Sequence, residues 1–195
     1  MKKLTKMMLT KWHYFEHKII DFEDINFLTG KNSSGKSTLI DALQVVLLGE
    51  TDGTSFNKAA DIKATRSFTS YIVGELGDDI NGGEKSLRGG KEFTTQLVCE
   101  FKDTMNDEYF CIGILVDSYS DMANAKRTFF RLRDRLDESD FIYDNQPRNI
   151  NQFKGWCREK YGKDDKAIKF MDTNNEYRQT ILSMYNVHDR KCFHF

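Results

Sequence analysis

A glycine-flanked stretch between residues 30 and 38 constrains this chain more than any other feature. The residues Gly30-Lys31-Asn32-Ser33-Ser34-Gly35-Lys36-Ser37-Thr38 match the pattern G-x-x-x-x-G-K-[ST] at every fixed position. In such a loop the backbone N–H groups surround the α- and β-phosphates, and the helix that follows adds positive partial charge at its N-terminus. The motif therefore predicts a nucleotide-binding loop, which we call the phosphate loop (30–38).

Each fixed position of the phosphate loop has a chemical role. Lys36 is expected to reach the β- and γ-phosphates, and the Ser37 hydroxyl is expected to ligate Mg²⁺. Gly30 and Gly35 are needed because the turn requires backbone angles that a Cβ resists and because the phosphates come close.

The neighbouring sequence favours a nucleotide site over a glycine- and serine-rich surface turn. Residues 25–29 (Ile-Asn-Phe-Leu-Thr) read as a short strand leading into the loop. A helix is predicted from Lys36 because apolar residues recur at helical spacing, and Gly49 stands where that helix would end. The apolar residues are Leu39, Leu43, Val46 and Leu47.

Composition limits the class of protein. With 195 residues, 39% hydrophobic residues and a formal net charge of −1, the chain suits one water-soluble domain without a global basic surface. No apolar run is long enough to cross a bilayer and no signal peptide is evident, so we expect no membrane contact and a cytoplasmic location. The four cysteines form no C-x-x-C pair: Cys99 and Cys111 should pack as small hydrophobes, and His188, Cys192 and His194 are only a weak metal-binding signal.

Two strands are predicted ahead of the loop, over 6–15 and 17–22. The first carries Lys11, Trp12, His13 and Phe15, which either border the base of the nucleotide or pack in the core and on the surface. A short helix is predicted over 65–76, ending at Gly77, and a mobile glycine-containing loop over 78–90. The basic residues in this region either contact a phosphate backbone or belong to a solvated surface; they are Lys58, Lys63, Arg66, Lys85, Arg88 and Lys91.

The pattern then changes to alternation with period two. Residues 94–101 and 109–117 are predicted to form a hairpin, followed by a third strand over 125–136. Arg131, Arg133 and Arg135 share one face of that strand, where they either grip a polyanion or protect an edge strand against aggregation.

The last third of the chain is predicted to be helical. Apolar spacing from Ile150 to Tyr161 indicates a helix that ends at Gly162. Thr173 and Glu176 fit a capping box that opens a second helix; this helix would bury Tyr177, Ile181 and either Met184 or Tyr185.

Two further stretches resemble catalytic motifs of ATPases. Ile114-Leu115-Val116-Asp117 has the shape of the acidic strand that helps to hold Mg²⁺, but Ser118 follows where a catalytic glutamate would stand. Residues 87–91 (Leu-Arg-Gly-Gly-Lys) echo an ABC signature motif, with Arg88 in place of its serine. We interpret the second echo as accidental and keep Asp117 as the acidic residue of an alternative, self-contained P-loop NTPase or kinase.

The chain resembles the N-terminal head segment of SMC-like ATPases, most of all the bacterial MukB, SbcC and JetC (Wadjet) group. Within this group the resemblance to JetC is strongest. The likeness is clearest from Met7 to Ala60, over 10–15 (Thr-Lys-Trp-His-Tyr-Phe), 25–43 and 56–60 (Phe-Asn-Lys-Ala-Ala). Beyond Thr69 it is looser. Ser33 stands where glycine is more usual.

The resemblance implies an ABC-type head that binds ATP and Mg²⁺, dimerises around two nucleotides, and acts on DNA with kleisin-type partners. Carried over by position, the contacts to ATP and Mg²⁺ are Gly30, Asn32, Gly35, Lys36, Ser37 and Thr38. A Q-loop glutamine would be Gln146, Gln152 or Gln179.

The resemblance also sets the expected fold and organisation. We expect an α/β P-loop fold, with a mixed sheet around the loop helix, an antiparallel β-subdomain and C-terminal helices. Residues 1–195 would form one N-terminal half-head: a P-loop core over 1–60, antiparallel strands over 61–145, and a helical region over 146–195 leading towards a coiled coil. The catalytic glutamate and signature would lie in the other half, so this chain alone should hydrolyse ATP barely if at all.

Overall fold

A twisted antiparallel sheet forms the centre of the protein in a computed structural model, which describes residues 1–31, 34–51, 56, 67–78, 84–120, 125–164 and 166–185. Its six strands, in chain order, are β1 (Lys2–Trp12), β2 (Phe15–Asp21), β5 (Phe93–Asp103), β6 (Glu108–Ser118), β7 (Lys126–Leu132) and β10 (Ile168–Met171). Across the sheet they lie in the order β10-β7-β6-β5-β1-β2.

Five helices and two small hairpins complete the described part of the chain. The helices are α1 (Lys36–Leu48), α2 (Phe68–Val73), α3 (Glu138–Phe141), α4 (Ile150–Tyr161) and α5 (Asn174–Met184). The hairpins pair β3 (Glu75–Asp78) with β4 (Glu84–Ser86), and β8 (Ile142–Tyr143) with β9 (Gln146–Pro147).

Helices cover both faces of the sheet because strand residues alternate between two apolar cores. On one face, strand residues such as Met7, Cys99 and Phe129 pack with the apolar sides of α1, α2 and α5. On the other face, Val98 and Phe130 pack with α3 and α4. The sheet is therefore the middle layer of three, and α1 lies on the first face.

Several sequence predictions are confirmed. The helix from Lys36 ends at Gly49, whose N–H donates to Val45 O, and the helix over 150–161 ends at Gly162. The hairpin of β5 and β6 continues without a register shift from Phe93 to Asp103. Thr173 caps α5 by accepting from the Glu176 N–H over 3.2 Å, and this helix buries Tyr177 and Ile181.

Other predictions are wrong. Residues 25–29 form no strand but an exposed stretch, and every described pairing in the main sheet is antiparallel, so the expected mixed sheet is not formed in the part of the chain that the structure describes. Residues 25–29 pair with none of the described strands. The predicted strand over 125–136 ends at Leu132, so Arg131 lies in β7 and Arg133 and Arg135 follow it. β7 lies between β6 and β10, so Arg131 does not protect an edge.

The remaining differences concern helix lengths and short elements. α2 ends at Gly74, which adopts φ 69°, rather than at the predicted Gly77. Within the predicted loop 78–90 the structure forms β4, and the supposedly helical last third contains β10, which pairs with β7. The predicted sites at Lys58, Lys63, Arg66, His188, Cys192 and His194 lie outside the described residues.

Candidate nucleotide-binding site

The phosphate loop leads directly into the first turn of α1. Gly35 is the N-cap, with φ 96°, and the intrahelical bonds begin with the Leu39 N–H donating to Gly35 O over 2.9 Å. Among the described residues no side chain caps this helix, and its first turn holds no acidic residue. The first amides of α1 are consequently available to an anion, which the helix dipole favours at this end.

Lys36 holds the start of the loop against the helix. Its ammonium group donates to Gly30 O over 2.7 Å, to Lys31 O over 2.9 Å and to Ser34 Oγ over 3.3 Å. Ser34 also donates its N–H to Lys31 O over 3.2 Å. These bonds place the positive charge of Lys36 beside the backbone carbonyls of Gly30 and Lys31, next to the first turn of α1.

The tip of the β1–β2 hairpin packs onto the same loop. Trp12 pairs with Phe15, so that His13 and Tyr14 form a two-residue turn. A Cβ placed on Gly35 would come within 2.1 Å of the Tyr14 hydroxyl and 3.2 Å of Phe15 Cζ. Gly35 is thus required by its backbone angle, and a Cβ there would also displace the Tyr14 ring. Phe15 also packs against the apolar core, as the packing alternative from the sequence predicts.

Trp12 packs in the core, which is one of the two alternatives that the sequence left open. Its ring is fully buried and stacks on Tyr71 at a centroid distance of 4.7 Å. Its indole Nε1 donates to the Thr38 carbonyl in the first turn of α1 over 3.0 Å. This bond fixes the phosphate-binding end of the helix to the sheet.

Arg88 holds the hairpin turn from the opposite side. Its guanidinium donates to Ile72 O over 3.2 Å, to Glu16 Oε1 over 2.7 Å, and to His13 O. Burial lowers the pKa of Arg88, while Glu16 opposes that shift. The pKa of Glu16 is lowered, chiefly by its hydrogen bond from Lys11, so the carboxylate stays charged beside both cations.

The predicted contact residues are only partly described. Lys31, Ser34, Gly35 and Lys36 lie together as the motif requires, whereas Asn32 and Ser33 fall outside the described residues. Ser37 is half-buried in the first turn of α1, and Thr38 is buried. The donor set fits a Mg²⁺-nucleotide: helix amides and an ammonium for the phosphates, and a serine hydroxyl for the metal.

Sequence reasoning missed Tyr14 and Arg88. The first predicted strand runs through residue 15, and this hides the turn that places Tyr14 against Gly35. For Arg88 the sequence offers only a poor match to a signature serine. The sequence around Arg88 carries no signal for this role, because two of its hydrogen-bond partners, His13 and Glu16, lie more than 70 residues away along the chain.

Asp117 acts as a structural acceptor in this fold. Its carboxylate accepts from Thr94 Oγ1 over 2.8 Å and from the Ile150 N–H at the start of α4 over 3.1 and 3.2 Å. Burial raises its pKa above the ordinary value of 3.8, and the bonds from Thr94 and Ile150 oppose that shift. These contacts account for a buried aspartate without a catalytic role.

The stretch before the phosphate loop exposes large apolar side chains. Ile25 is 75% exposed, Phe27 is 85% exposed and Leu28 is 45% exposed. We call residues 25–28 the apolar segment. Three such side chains in four residues form a local patch rather than the scattered exposure normal for a soluble protein.

The other candidate residues contribute nothing further to this site. Cys99 and Cys111 are buried, as predicted, and burial raises the pKa of each thiol. Arg131 donates to Lys166 O, Arg133 to Glu108, and the Arg135 guanidinium lies over the Tyr109 ring. No cluster of metal-ligating side chains occurs among the described residues.

Of the glutamines considered for a Q-loop, Gln146 lies in β9 and Gln152 belongs to the cap of α4. Gln179 lies within α5.

A known protein family matches the part of the chain that contains the phosphate loop. Residues 4–63 match the family described as the P-loop containing region of AAA domain. Together with the loop geometry, this supports a P-loop segment in an α/β fold with an antiparallel sheet.

A curated relative gives a more particular likeness. The chain is similar to the SbcC component of the nuclease SbcCD from Staphylococcus haemolyticus (strain JCSC1435), with 24% identity over 199 residues. The match covers 91% of this chain but 17% of that protein. The two findings together support a P-loop segment that is similar to part of SbcC.

In the described ranges, none of the helices combines the length and the apolar character that spanning a bilayer demands.

Proposed function

We propose that this chain is the N-terminal half of an SMC-like ATPase head. It binds ATP and Mg²⁺ at the phosphate loop, and with its C-terminal half and a second head it couples ATP hydrolysis to DNA binding or movement. The observation that carries the proposal is the position of Lys36, which is held by the carbonyls of Gly30 and Lys31 at the uncapped start of α1.

The proposed roles follow from that geometry. The loop amides and Lys36 bind the phosphates and stabilise negative charge that develops on the γ-phosphate during hydrolysis. Ser37 would hold Mg²⁺, which would supply positive charge to neutralise part of the charge on the phosphates. All loop positions from Gly30 to Thr38 are proposed nucleotide contacts, including Asn32 and Ser33.

The apolar segment supports the proposal of a half-head. It leads into the phosphate loop, where a P-loop protein has a buried strand, yet it packs against none of the described strands. A strand from the C-terminal half would pair with it and bury Ile25 and Phe27. The span of the SbcC match, 17% of that protein, agrees with a piece of a longer polypeptide.

The finer assignments rest on the family resemblance alone. We propose a head homodimer around two ATP molecules, kleisin-type partner subunits, a coiled coil after α5, DNA as the polymer acted upon, and a cytoplasmic location. The SbcC likeness favours no one role among DNA repair, chromosome organisation and plasmid defence, and a JetC- or MukB-type assignment stays part of the proposal.

Titration of the chain with fluorescent ATP and Mg²⁺ tests nucleotide binding. We expect saturable binding by the wild type and a loss of affinity of about tenfold or more in Lys36→Ala, because one charge-assisted bond to phosphate is removed. Lys169→Ala is the matched control, because Lys169 pairs with Glu176 on α5, in a different part of the sheet.

Two outcomes would contradict the proposal. Equal affinity in wild type and Lys36→Ala would mean that the loop does not hold the phosphates. Turnover by the 195-residue chain alone at the ordinary enzymatic rate of about 10 s⁻¹ would mean that the chain is a self-contained enzyme rather than a half-head.

A further inference from the structure

The turn of the β1–β2 hairpin has a backbone that its own sequence does not favour. Lys11 and His13 adopt φ 55° and φ 50°, in the left-handed region that is unfavourable for a non-glycine residue. Such residues keep this conformation only when their surroundings impose it. The contacts around the turn therefore decide where the hairpin tip lies.

Contacts from α2 and Arg88 impose the conformation of the turn. The His13 N–H donates to Tyr71 O over 2.7 Å, and His13 O accepts from Arg88. Arg88 is itself anchored, because its backbone N–H donates to Val73 O over 3.0 Å and its side chain is 6% exposed. The His13 N–H is thus bonded to α2 directly, and the His13 carbonyl is bonded to Arg88, which is itself anchored to the end of α2.

The far side of the same turn touches the phosphate loop. Tyr14 and Phe15 lie against Gly35, the N-cap of α1. A continuous path of contacts therefore runs from Arg88 through the His13 carbonyl and Tyr14 to the residue that begins the phosphate-binding helix. Within the described residues, the hydrogen bonds of the Arg88 side chain go to α2 and the hairpin rather than to the loop.

We infer that Arg88 is a positioning residue for the nucleotide site: it pins the hairpin turn so that Tyr14 and Phe15 hold Gly35 in its phosphate-binding geometry. The inference rests on the proposed nucleotide binding at the phosphate loop. The planar guanidinium suits this role, because it donates to two carbonyls and a carboxylate at once, which a lysine ammonium on a flexible stem does not reproduce.

A double-mutant cycle between Arg88 and Tyr14 tests the inference, with the affinity for fluorescent ATP and Mg²⁺ as the measurement. We expect Arg88→Met to weaken binding about tenfold in the wild-type background and less than about twofold in Tyr14→Ala, because the path is already broken there. Arg88→Lys, which keeps the charge but gathers its donors on a single nitrogen, should recover part of the affinity.

Arg178→Met is the matched control. Arg178 donates to Leu48 O over 2.8 Å and pairs with Glu50, so it makes similar contacts at the opposite end of α1. It should lower the thermal unfolding midpoint without changing the affinity for ATP. Affinities are measured at a temperature where circular dichroism shows each variant folded. If Arg88→Met does not fold, Arg88→Lys replaces it in the cycle, and its smaller loss of affinity should again be present in the wild-type background and absent in Tyr14→Ala.

The outcomes separate this inference from the proposed function. Unchanged affinity in the Arg88 variants, or an equal loss in both Tyr14 backgrounds, overturns the positioning role while wild-type binding stands. A wild type that does not bind ATP, or binds it no better than Lys36→Ala, overturns the proposed function instead.

Discussion

The indole Nε1 of Trp12 donates to the carbonyl oxygen of Thr38 over 3.0 Å, which joins the last residue of β1 to the first turn of the phosphate-loop helix. Thr38 is the last residue of the phosphate-binding motif, so the sheet is bonded directly to the site. The bond is buried, and the ring that makes it also stacks on Tyr71.

Trp12→Phe should lower both stability and nucleotide affinity. Loss of the hydrogen bond and of part of the ring volume is expected to lower the free energy of unfolding by about 1–3 kcal/mol. The affinity for ATP should fall as well, because the first turn of α1 loses its link to β1. Urea unfolding and titration with fluorescent ATP measure the two effects.

Trp156→Phe supplies the comparison. Trp156 Nε1 donates to Asp140 over 2.9 Å on the other face of the sheet, so its loss should destabilise the protein and leave ATP affinity unchanged. Similar affinities in the two variants would show that the Trp12–Thr38 bond has no bearing on the site.

Asp117→Asn should remove one pH dependence of stability without affecting nucleotide binding. Burial raises the pKa of Asp117 in the folded state, so between its ordinary value of 3.8 and that raised pKa the folded state binds more protons than the unfolded state. Stability contributed by this group is therefore lost as the pH rises through that window. Urea midpoints measured across mildly acidic pH should change less in Asp117→Asn than in wild type.

Asp137→Asn provides a control of opposite sign. Asp137 caps α3, and its pKa is lowered chiefly by hydrogen bonds from Ser139. The stability that Asp137 contributes is present above its ordinary pKa and is lost as the pH falls.

A loss of ATP binding in Asp117→Asn, with the fold intact, would favour the alternative of a self-contained enzyme that uses Asp117.

Much of the fold follows from local sequence signals. The strands β5 and β6 are two strand-like runs on either side of a polar turn, and α4 and α5 have both apolar periodicity and a capping residue at the start. Each signal agrees with the long-range structure, so local inference succeeds. The phosphate loop is predictable for the same reason, because its geometry is built from consecutive residues.

The failures arise where distant residues decide the outcome. Residues 25–29 have the composition of a strand, but a strand forms only with a partner, and these residues pair with none of the described strands. Arg131, Arg133 and Arg135 suggest a solvent-exposed edge, and no local feature indicates that β10 pairs with β7. The role of Arg88 depends on carbonyls and a carboxylate contributed by α2 and the hairpin.

Lys160→Met should be among the more destabilising single changes. The Lys160 ammonium donates to both carboxylate oxygens of Asp140 over 2.9 and 2.8 Å, and the Asp140 side chain is 2% exposed. Removal of the Lys160 ammonium leaves the buried Asp140 carboxylate with only Trp156 as a side-chain hydrogen-bond donor among the described residues. This should lower the free energy of unfolding in urea by about 3 kcal/mol.

Lys169→Met tests whether burial is the cause. Lys169 pairs with Glu176 on the surface, and such exposed pairs contribute at most about 1 kcal/mol. Equal losses in the Lys160 and Lys169 variants would show that the Asp140 carboxylate is hydrated or finds another partner in solution.

Phe27→Ala should leave the stability of this chain almost unchanged. The ring is 85% exposed, so its removal should alter the free energy of unfolding by no more than about 0.5 kcal/mol. Phe129→Ala removes the same ring from a fully buried position and should cost about 3–5 kcal/mol. Urea unfolding of both variants makes the comparison. A loss above about 1 kcal/mol in Phe27→Ala would mean that the apolar segment packs within this chain in solution, and the reason to expect a partner strand there would disappear.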